Sequence, residues 1–523
     1  MRTNIQAVSD VLAERGATTL FGLIGNGNLH FIADMVDRCG ARYVGVRHEN
    51  AAVAAADGYA RAGGTVGFAT VTHGPGFTNA LTALVTALRA RTPLLLIAGS
   101  AMGYPHRSTQ RLDQGAVASA LGIPVVAPSA DGDWAEAARD ALRRAASGTV
   151  LLDIPAEATR RPARCDSGPE RSPPAARPSP DPEAVDRIVQ VLMGTERLLV
   201  LAGRGAVRAG VRDQLVALGR RYGARFGTTL AAKGLFSRLD GDIGIVGGLA
   251  NPASWAACRE CDVVLVAGAS LNGFTTEHAT LFRSARVIRL DEDAAAPSTL
   301  DVHLTLCCGL AESVAAILAA SRPGTRPPWD PGTAEAQAVR IAATLWPSGV
   351  LQHLDRILPD ARTVVFDHGD RANGAVPYFR AADPSQSLFM PDFGSLGLSL
   401  AAAVGASIAC PGRRTVAILG DGGLMMSLSE LDTIKRTGAP DLIVVLNDGV
   451  YGAEYPHLAE IGASLGPATF ASAPPSEIAR AIGIPSIRLG EGDDFGALDG
   501  LVAVRGGPML VEVACPPPAT KHD

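Results

Sequence analysis

Asp421 and Asn447 each follow or close an apolar run in "GDGGLMMSLSELDTIKRTGAPDLIVVLNDGVYG" (420–452). The runs 415–419 and 442–446 read as buried strands, and each leads into glycine beside a carboxylate or an amide. A strand, a glycine turn and a helix place helix N–H groups and the positive dipole end beneath the turn, which suits an anion. Asp421 repels a bare phosphate, and a divalent cation between the two removes the conflict. A hard ion such as Mg2+ takes a carboxylate, an amide oxygen, a backbone carbonyl and phosphate oxygens. Parallel strands with their C-terminal ends on one edge would bring both side chains to one ion. Taken singly, Asp421 reads as a helix N-cap and Asn447 as a turn residue. As a pair flanked by glycines they read as a metal–phosphate site.

The elements that must position this pair are set by length and composition. The chain has 523 residues, 47% of them hydrophobic, with 58 glycines. That is too long for one ordinary core, and it fits parallel sheets joined by tight strand-to-helix turns. Two proline- and arginine-rich stretches, 160–182 and 321–331, interrupt the βα alternation and read as exposed linkers. They divide the chain into three units, 1–163, 183–320 and 334–523. Each is expected to be a doubly wound α/β domain with a mainly parallel sheet. The outer units end alike, in "GTVLLDIPAE" (148–157) and "GGPMLVEVACP" (506–516), so related folds are expected at the two ends. In the middle unit, "RLLVLAGRGAVRAG" (197–210) and "CDVVLVAGAS" (261–270) each stop on a glycine turn. Gly203-Arg204-Gly205 lacks the third glycine of a dinucleotide fingerprint.

Other function classes are not indicated. Net charge is −5 with no long run of one sign, which argues against nucleic-acid or polybasic membrane binding. No stretch approaches a membrane span. The start, MRTNIQAVSDVLAERG, reads as an amphipathic helix with Ile5, Val8 and Leu12 on one face, not as a signal peptide. A cytoplasmic address is expected. Of eight cysteines, Cys258 and Cys261 have CxxC spacing but no second pair at zinc-ribbon distance, and they read as ordinary thiols near a helix end.

The spacing of Asp421 and Asn447 closely resembles the metal–diphosphate motif of thiamine-diphosphate-dependent enzymes. The rest of the chain is similar to that family in the same order. "RHENAAVAAADGYAR" (47–61) carries a glutamate, Glu49, where the family has one, and "VTHGPGFTNALTAL" (71–84) is similar to its glycine-proline-glycine turn. "GSLGLSLAAAVGA" (394–406) looks like the segment that supports the bent cofactor. The resemblance covers all three units and is nearest to the acetohydroxyacid (acetolactate) synthase-like and 2-oxo acid decarboxylase branch. It implies a pyrimidine-binding domain, a central Rossmann-like domain and a diphosphate-binding domain.

Residue roles are carried over from that resemblance. Glu49 is implied to hydrogen-bond the aminopyrimidine, favouring the imino form that takes the C2 proton. Asp421, Asn447 and the Gly449 carbonyl are implied to hold Mg2+. Gly369, Asp370, Gly420, Gly422, Gly423 and Tyr451 are implied to line the cofactor, with Leu396 as the apolar wedge beneath it. Gln110, in "STQRLDQG", and His73 are implied to face the reacting centre, and Gly25 and Asn26, in "FGLIGNGN", to border the substrate. Whether the middle domain holds FAD, another nucleotide or nothing stays open. In this family the glutamate and the metal aspartate come from different subunits, which implies a homodimer or homotetramer with interface sites.

Departures from the pattern bear on the substrate. Asp370 and Arg371 replace the family's usual polar pair at the diphosphate. The segment "NDGVYGAEYPHLAEIG" (447–462) lacks the arginine and tryptophan used to select an acceptor, and the four tryptophans (134, 255, 329 and 346) lie elsewhere. His106 stands alone where many simple decarboxylases have two adjacent histidines. The reading is an enzyme that decarboxylates a 2-oxo acid and passes the acyl unit to an aldehyde or ketone acceptor. The alternatives are a simple 2-oxo acid decarboxylase or C–C lyase, and a non-catalytic cofactor-binding paralogue.

Overall fold

The computed structural model describes residues 2–103, 109–164, 178–293, 296, 298–330, 347–503 and 506–519. Its strands form three six-stranded sheets. The first contains β1 (Thr19–Gly22), β2 (Arg42–Gly45), β3 (Gly67–Val71), β4 (Leu94–Ser100), β5 (Val125–Val126) and β6 (Thr149–Pro155). Their order is β2-β1-β3-β4-β6-β5, paired in parallel. The second contains β7 (Leu198–Ala202), β8 (Arg225–Thr228), β9 (Asp242–Ile245), β10 (Val263–Ala267), β11 (Arg286–Asp291) and β12 (Leu304–Cys307), in the order β12-β11-β10-β7-β8-β9. The third contains β13 (Arg362–Phe366), β14 (Ser387–Phe389), β15 (Arg414–Gly420), β16 (Leu442–Asn447), β17 (Ser486–Leu489) and β18 (Met509–Ala514), in the order β14-β13-β15-β16-β18-β17.

The first and third sheets share one strand order, so the matching terminal runs, β6 and β18, take equivalent places. Central strands are buried along their whole length: all seven residues of β4 and all five of β7, β10 and β13. With helices over both faces, every position of such a strand must be apolar, not every second one. In the middle sheet the order reverses between β7 and β10, the topological switch point of a Rossmann-like fold. Contacts gather the chain into two compact units: Met1–Glu170 with Ile357–Asn373 and Leu388–Asp523, and Arg171–Arg356 with Gly374–Ser387.

Within the first unit, helix Glu49–Gly63 packs on helix Ser399–Ala409 through alanine and glycine. A Cβ on Gly58 would fall 2.0 Å from the Ala402 carbonyl oxygen, and one on Gly405 would fall 1.8 Å from that of Ala55. The two backbones are in contact, and no larger residue fits between them.

Some local expectations change. Residues 322–327 of the second linker stretch are exposed, but Trp329 is anchored. Its indole N–H donates to the Leu198 carbonyl (2.8 Å), and its own carbonyl accepts from Arg225 Nε (2.8 Å). Proline density predicts exposure and gives no sign of an indole that finds a strand carbonyl. Residues 165–177 of the first stretch, position 334, His106 and Trp346 lie outside the described residues. Cys258 and Cys261 are buried at the end of helix Pro252–Glu260, and burial pushes the Cys261 thiol up to about 12. Among the described residues no helix is long and apolar enough to cross a membrane.

Candidate active site

Register brings the first pair together. Gly420 of β15 pairs with Leu446 of β16, so the next step sets Asp421 beside Asn447 at the C-terminal edge of the sheet. Asp421 opens helix Asp421–Met426 and is 3% exposed. Its Oδ2 is buried with no hydrogen-bond partner. Burial, and then the charge of Asp448, push this carboxyl up to about 6. Asn447 Nδ2 donates to Glu512 Oε1 (2.8 Å), and the buried Glu512 also accepts from Ser476 N (2.9 Å) and Oγ (2.6 Å). The amide nitrogen is thereby committed, and the oxygen is the atom left for a cation. Gly449 has φ +67°, and its carbonyl accepts from Phe470 N (2.9 Å), which leaves one lone pair.

These atoms fit a hard cation: a buried carboxylate oxygen lacking a donor, an amide oxygen and a carbonyl. Among the described residues no group of three or more His, Cys, Asp or Glu forms a metal site. Only one carboxylate belongs to this set, so water or other oxygens would have to complete the shell of a bound cation.

The loop after β13 closes on the same edge. Asp367, fully buried, accepts from the backbone amides of Gly397 (2.8 Å), Leu398 (3.2 Å) and Ser399 (3.3 Å) at the start of helix Ser399–Ala409. Burial raises it to about 6 against those bonds. Gly369 has φ +126°, and a Cβ there would lie 3.0 Å from Leu396 Cδ2, so the half-buried Leu396 sits directly against this turn. Gly423 abuts Asp367, with a Cβ–Oδ2 distance that would be 2.3 Å. Asp370 packs beside Gly452, and burial raises its pKa, opposed by Arg371 and reinforced by Asp448. Tyr451 contacts Phe470 with ring centroids 4.9 Å apart. The two rings line a cavity of about 330 Å³ with Gly422, Met425, Met426 and Ser472.

A second cluster forms beyond the C-terminal ends of β1, β2, β3 and β4. Glu49 is the first residue of its helix and is 8% exposed. Its Oε2 accepts from Asn79 Nδ2 (3.0 Å), and Gly76 leaves space over Oε1, where a Cβ would be 3.5 Å away. The turn before it is held from the third sheet's side, since Arg47 N donates to Glu430 Oε1 (3.1 Å). His73 Nε2 meets Gln110 Oε1 at 2.8 Å; an amide oxygen only accepts, so this nitrogen carries the proton. Gly25 N donates to Asn28 Oδ1 (2.8 Å) and Gly27 N to Thr72 Oγ1 (3.0 Å), which lays the loop with the exposed Asn26 against the His73 turn. Glu49, Gly25, Asn26, His73 and Gln110 thus occupy neighbouring loops. Among the described residues no hydrogen bond or ion pair joins Glu49 to Asp421 or Asn447.

Sequence reasoning passed over two buried supports. Gln114, fully buried, donates to the Gly99 carbonyl (2.6 Å) and Asp153 Oδ1 (2.7 Å) and accepts from Gly74 N (3.4 Å). Asp367 is the other. Gln114 lies four residues after Gln110 and Asp367 two before Gly369; a polar residue inside an otherwise apolar or glycine-rich stretch was the available signal. In the middle sheet, Gly203 N and Gly205 N donate to the carbonyls of Ala267 and Gly268 (2.9 Å each). A Cβ on Gly203 would lie 2.4 Å from Ala269 Cα. These two amides are thus bonded to the strand and turn that face them.

Comparison with known proteins adds the following. Three models match in order: thiamine pyrophosphate enzyme N-terminal TPP binding domain on residues 2–117, central domain on 185–317 and C-terminal TPP binding domain on 367–513. The acetolactate synthase large subunit of Parasynechococcus marenigrum is 29% identical over 473 residues, covering 84% of this chain and 75% of that protein. A Pseudomonas aeruginosa protein named "Probable 2-ketoarginine decarboxylase" is 28% identical over 456 residues, covering 84% and 81%. A solved structure from Mycobacterium smegmatis, described as a "putative thiamin diphosphate-dependent enzyme", shares the fold with a TM-score of 0.78 at 21% identity, covering 99% of this chain and 100% of that one.

Proposed function

The chain belongs to the thiamine pyrophosphate enzyme family, in the acetolactate synthase and 2-oxo acid decarboxylase branch, and from that premise we propose that it is a Mg2+-dependent carboligase. Its donor is a 2-oxo acid and its acceptor an aldehyde or ketone. One observation carries the reading: a buried Asp421 oxygen without a donor, in register with an Asn447 whose amide nitrogen is already committed.

Thiamine diphosphate, when bound, would supply a thiazolium whose deprotonated C2 is nucleophilic toward a 2-oxo acid and whose cationic ring is a sink for the electron pair left behind when CO2 departs. Asp421, Asn447 and the Gly449 carbonyl would hold Mg2+ against the diphosphate, beside Gly420, Gly422, Gly423, Gly369 and Asp370. Leu396, packed against Gly369, would support the cofactor from that side. Glu49, oriented by Asn79, holds a proton at the aminopyrimidine ring. His73, with its Nε2 proton pointed at Gln110, would orient that amide toward a substrate bordered by Gly25 and Asn26. Tyr451 and Phe470 keep one flank of the site apolar.

The resemblance to a protein named as a decarboxylase favours one other reading, release of an aldehyde without coupling. Incubation with a panel of 2-oxo acids and acceptors, read by mass spectrometry, separates them. A coupled hydroxyketone supports the proposal, a free aldehyde alone supports the decarboxylase, and no turnover of any 2-oxo acid contradicts both.

A further inference from the structure

Arg371 departs from the family pattern, and the structure gives it a specific place. It follows Gly369 on the β13 side, and its Nε lies 2.6 Å from Asp448 Oδ2 at the end of β16. A second guanidinium nitrogen donates to the carbonyl of Pro516, just beyond β18. In the strand order β15 lies between β13 and β16, so the ion pair joins the loops after two strands that lie roughly 10 Å apart along the sheet edge. Asp448 is 2% exposed and Arg371 20%, so the pair is shielded from water. Asp448 sits between Asn447 and Gly449, and its Oδ1 also accepts from Val450 N (3.3 Å). Asp370, Asp421 and Asp448 crowd one edge, and Arg371 is the cation found paired among them.

We propose that Arg371 is a positioning residue for the metal–diphosphate site. Its ion pair with Asp448 fixes the Asn447–Gly449 turn in ligand geometry and cancels a charge that would otherwise oppose the diphosphate. The inference rests on the reading of Asp421 and Asn447 as that site. Removing only the guanidinium leaves Asp448 buried and unpaired, whereas removing both charges leaves neither.

The test is calorimetric titration of thiamine diphosphate with Mg2+ into wild type, Arg371→Met, Asp448→Asn, the double variant and Arg371→Lys. Loss of such an outer support weakens binding by roughly 10- to 100-fold, expected here for Arg371→Met. The double variant should recover most of that loss, and Arg371→Lys should fall between, since an ammonium cannot span both partners. Melting of each apo variant shows whether it is folded. If Arg371→Met is not, Arg371→Lys with and without Asp448→Asn makes the same comparison. Arg371→Met binding within about twofold of wild type, the scatter of uncoupled sites, overturns the proposal. So does a double variant no better than Arg371→Met, which would mean that Arg371 acts other than through Asp448. Wild type that binds no cofactor sinks the reading of the site itself, and the proposal with it.

Discussion

Asp421 and Glu49 divide the work at the scale of single residues. Asp421 contributes an oxygen that no protein donor satisfies, so its replacement by alanine should remove the bridging ion and with it cofactor retention. Calorimetry showing wild-type thiamine diphosphate affinity in Asp421→Ala would refute the metal assignment. Glu49→Gln keeps size and hydrogen bonding but not charge. Cofactor affinity should change little, while activation of the C2 proton should fall by roughly 100- to 10,000-fold. Hydrogen–deuterium exchange at C2 of the bound cofactor, quenched in acid and read by NMR, reports that step alone; exchange as fast as in wild type removes the proposed role. Asp421 stood out in the sequence at a strand end beside glycines, whereas Glu49 was singled out only through the family resemblance. Asp367, Gln114 and the Arg371–Asp448 pair were not legible, because their partners lie far along the chain and no periodicity records them.

At the scale of elements, two supports make measurable predictions. Helix Glu49–Gly63 is seated on helix Ser399–Ala409 by backbone contact at Gly58 and Gly405. Gly405→Ala would place a methyl inside that contact and should cost about 1–3 kcal/mol. Gly500→Ala, at an exposed position of helix Ala497–Ala503 with nothing within 4 Å, should be stabilising by about 1 kcal/mol. Thermal melts that rank the two variants the other way would contradict the packing. The second support is Asp153, raised to about 6 by burial, with Gln114 opposing the shift. Its folded value lies above the unfolded 3.8, so the folded state binds more protons between these limits. Stability from this group is therefore full at low pH and lost as pH rises through about 6. Asp153→Asn should raise the melting temperature at pH 8 and have little effect near pH 4; an equal effect at both would show that the charge is not what matters. Strands and their order of helices could be read from apolar runs. The glycine contacts could not, because a glycine in a helical pattern does not say which backbone approaches it.

The whole molecule repeats one strand order in its first and third sheets, and the like-sounding ends of the outer units, β6 and β18, carried that signal into the sequence. The strand orders themselves were not legible, since many arrangements satisfy the same buried runs. The repeat puts Glu49 at the C-terminal strand ends of one sheet and Asp421 at those of its counterpart, with no bond between them among the described residues. We propose that one cofactor uses both, supplied by different subunits of a homodimer or homotetramer. Complementation tests this most directly. Glu49→Gln and Asp421→Ala chains, each inactive alone, are mixed, exchanged and assayed for turnover of a 2-oxo acid that wild type consumes. Recovery of part of the wild-type rate, through interfaces that regain both native residues, is the predicted result. No recovery despite demonstrated subunit exchange would contradict a site shared between chains.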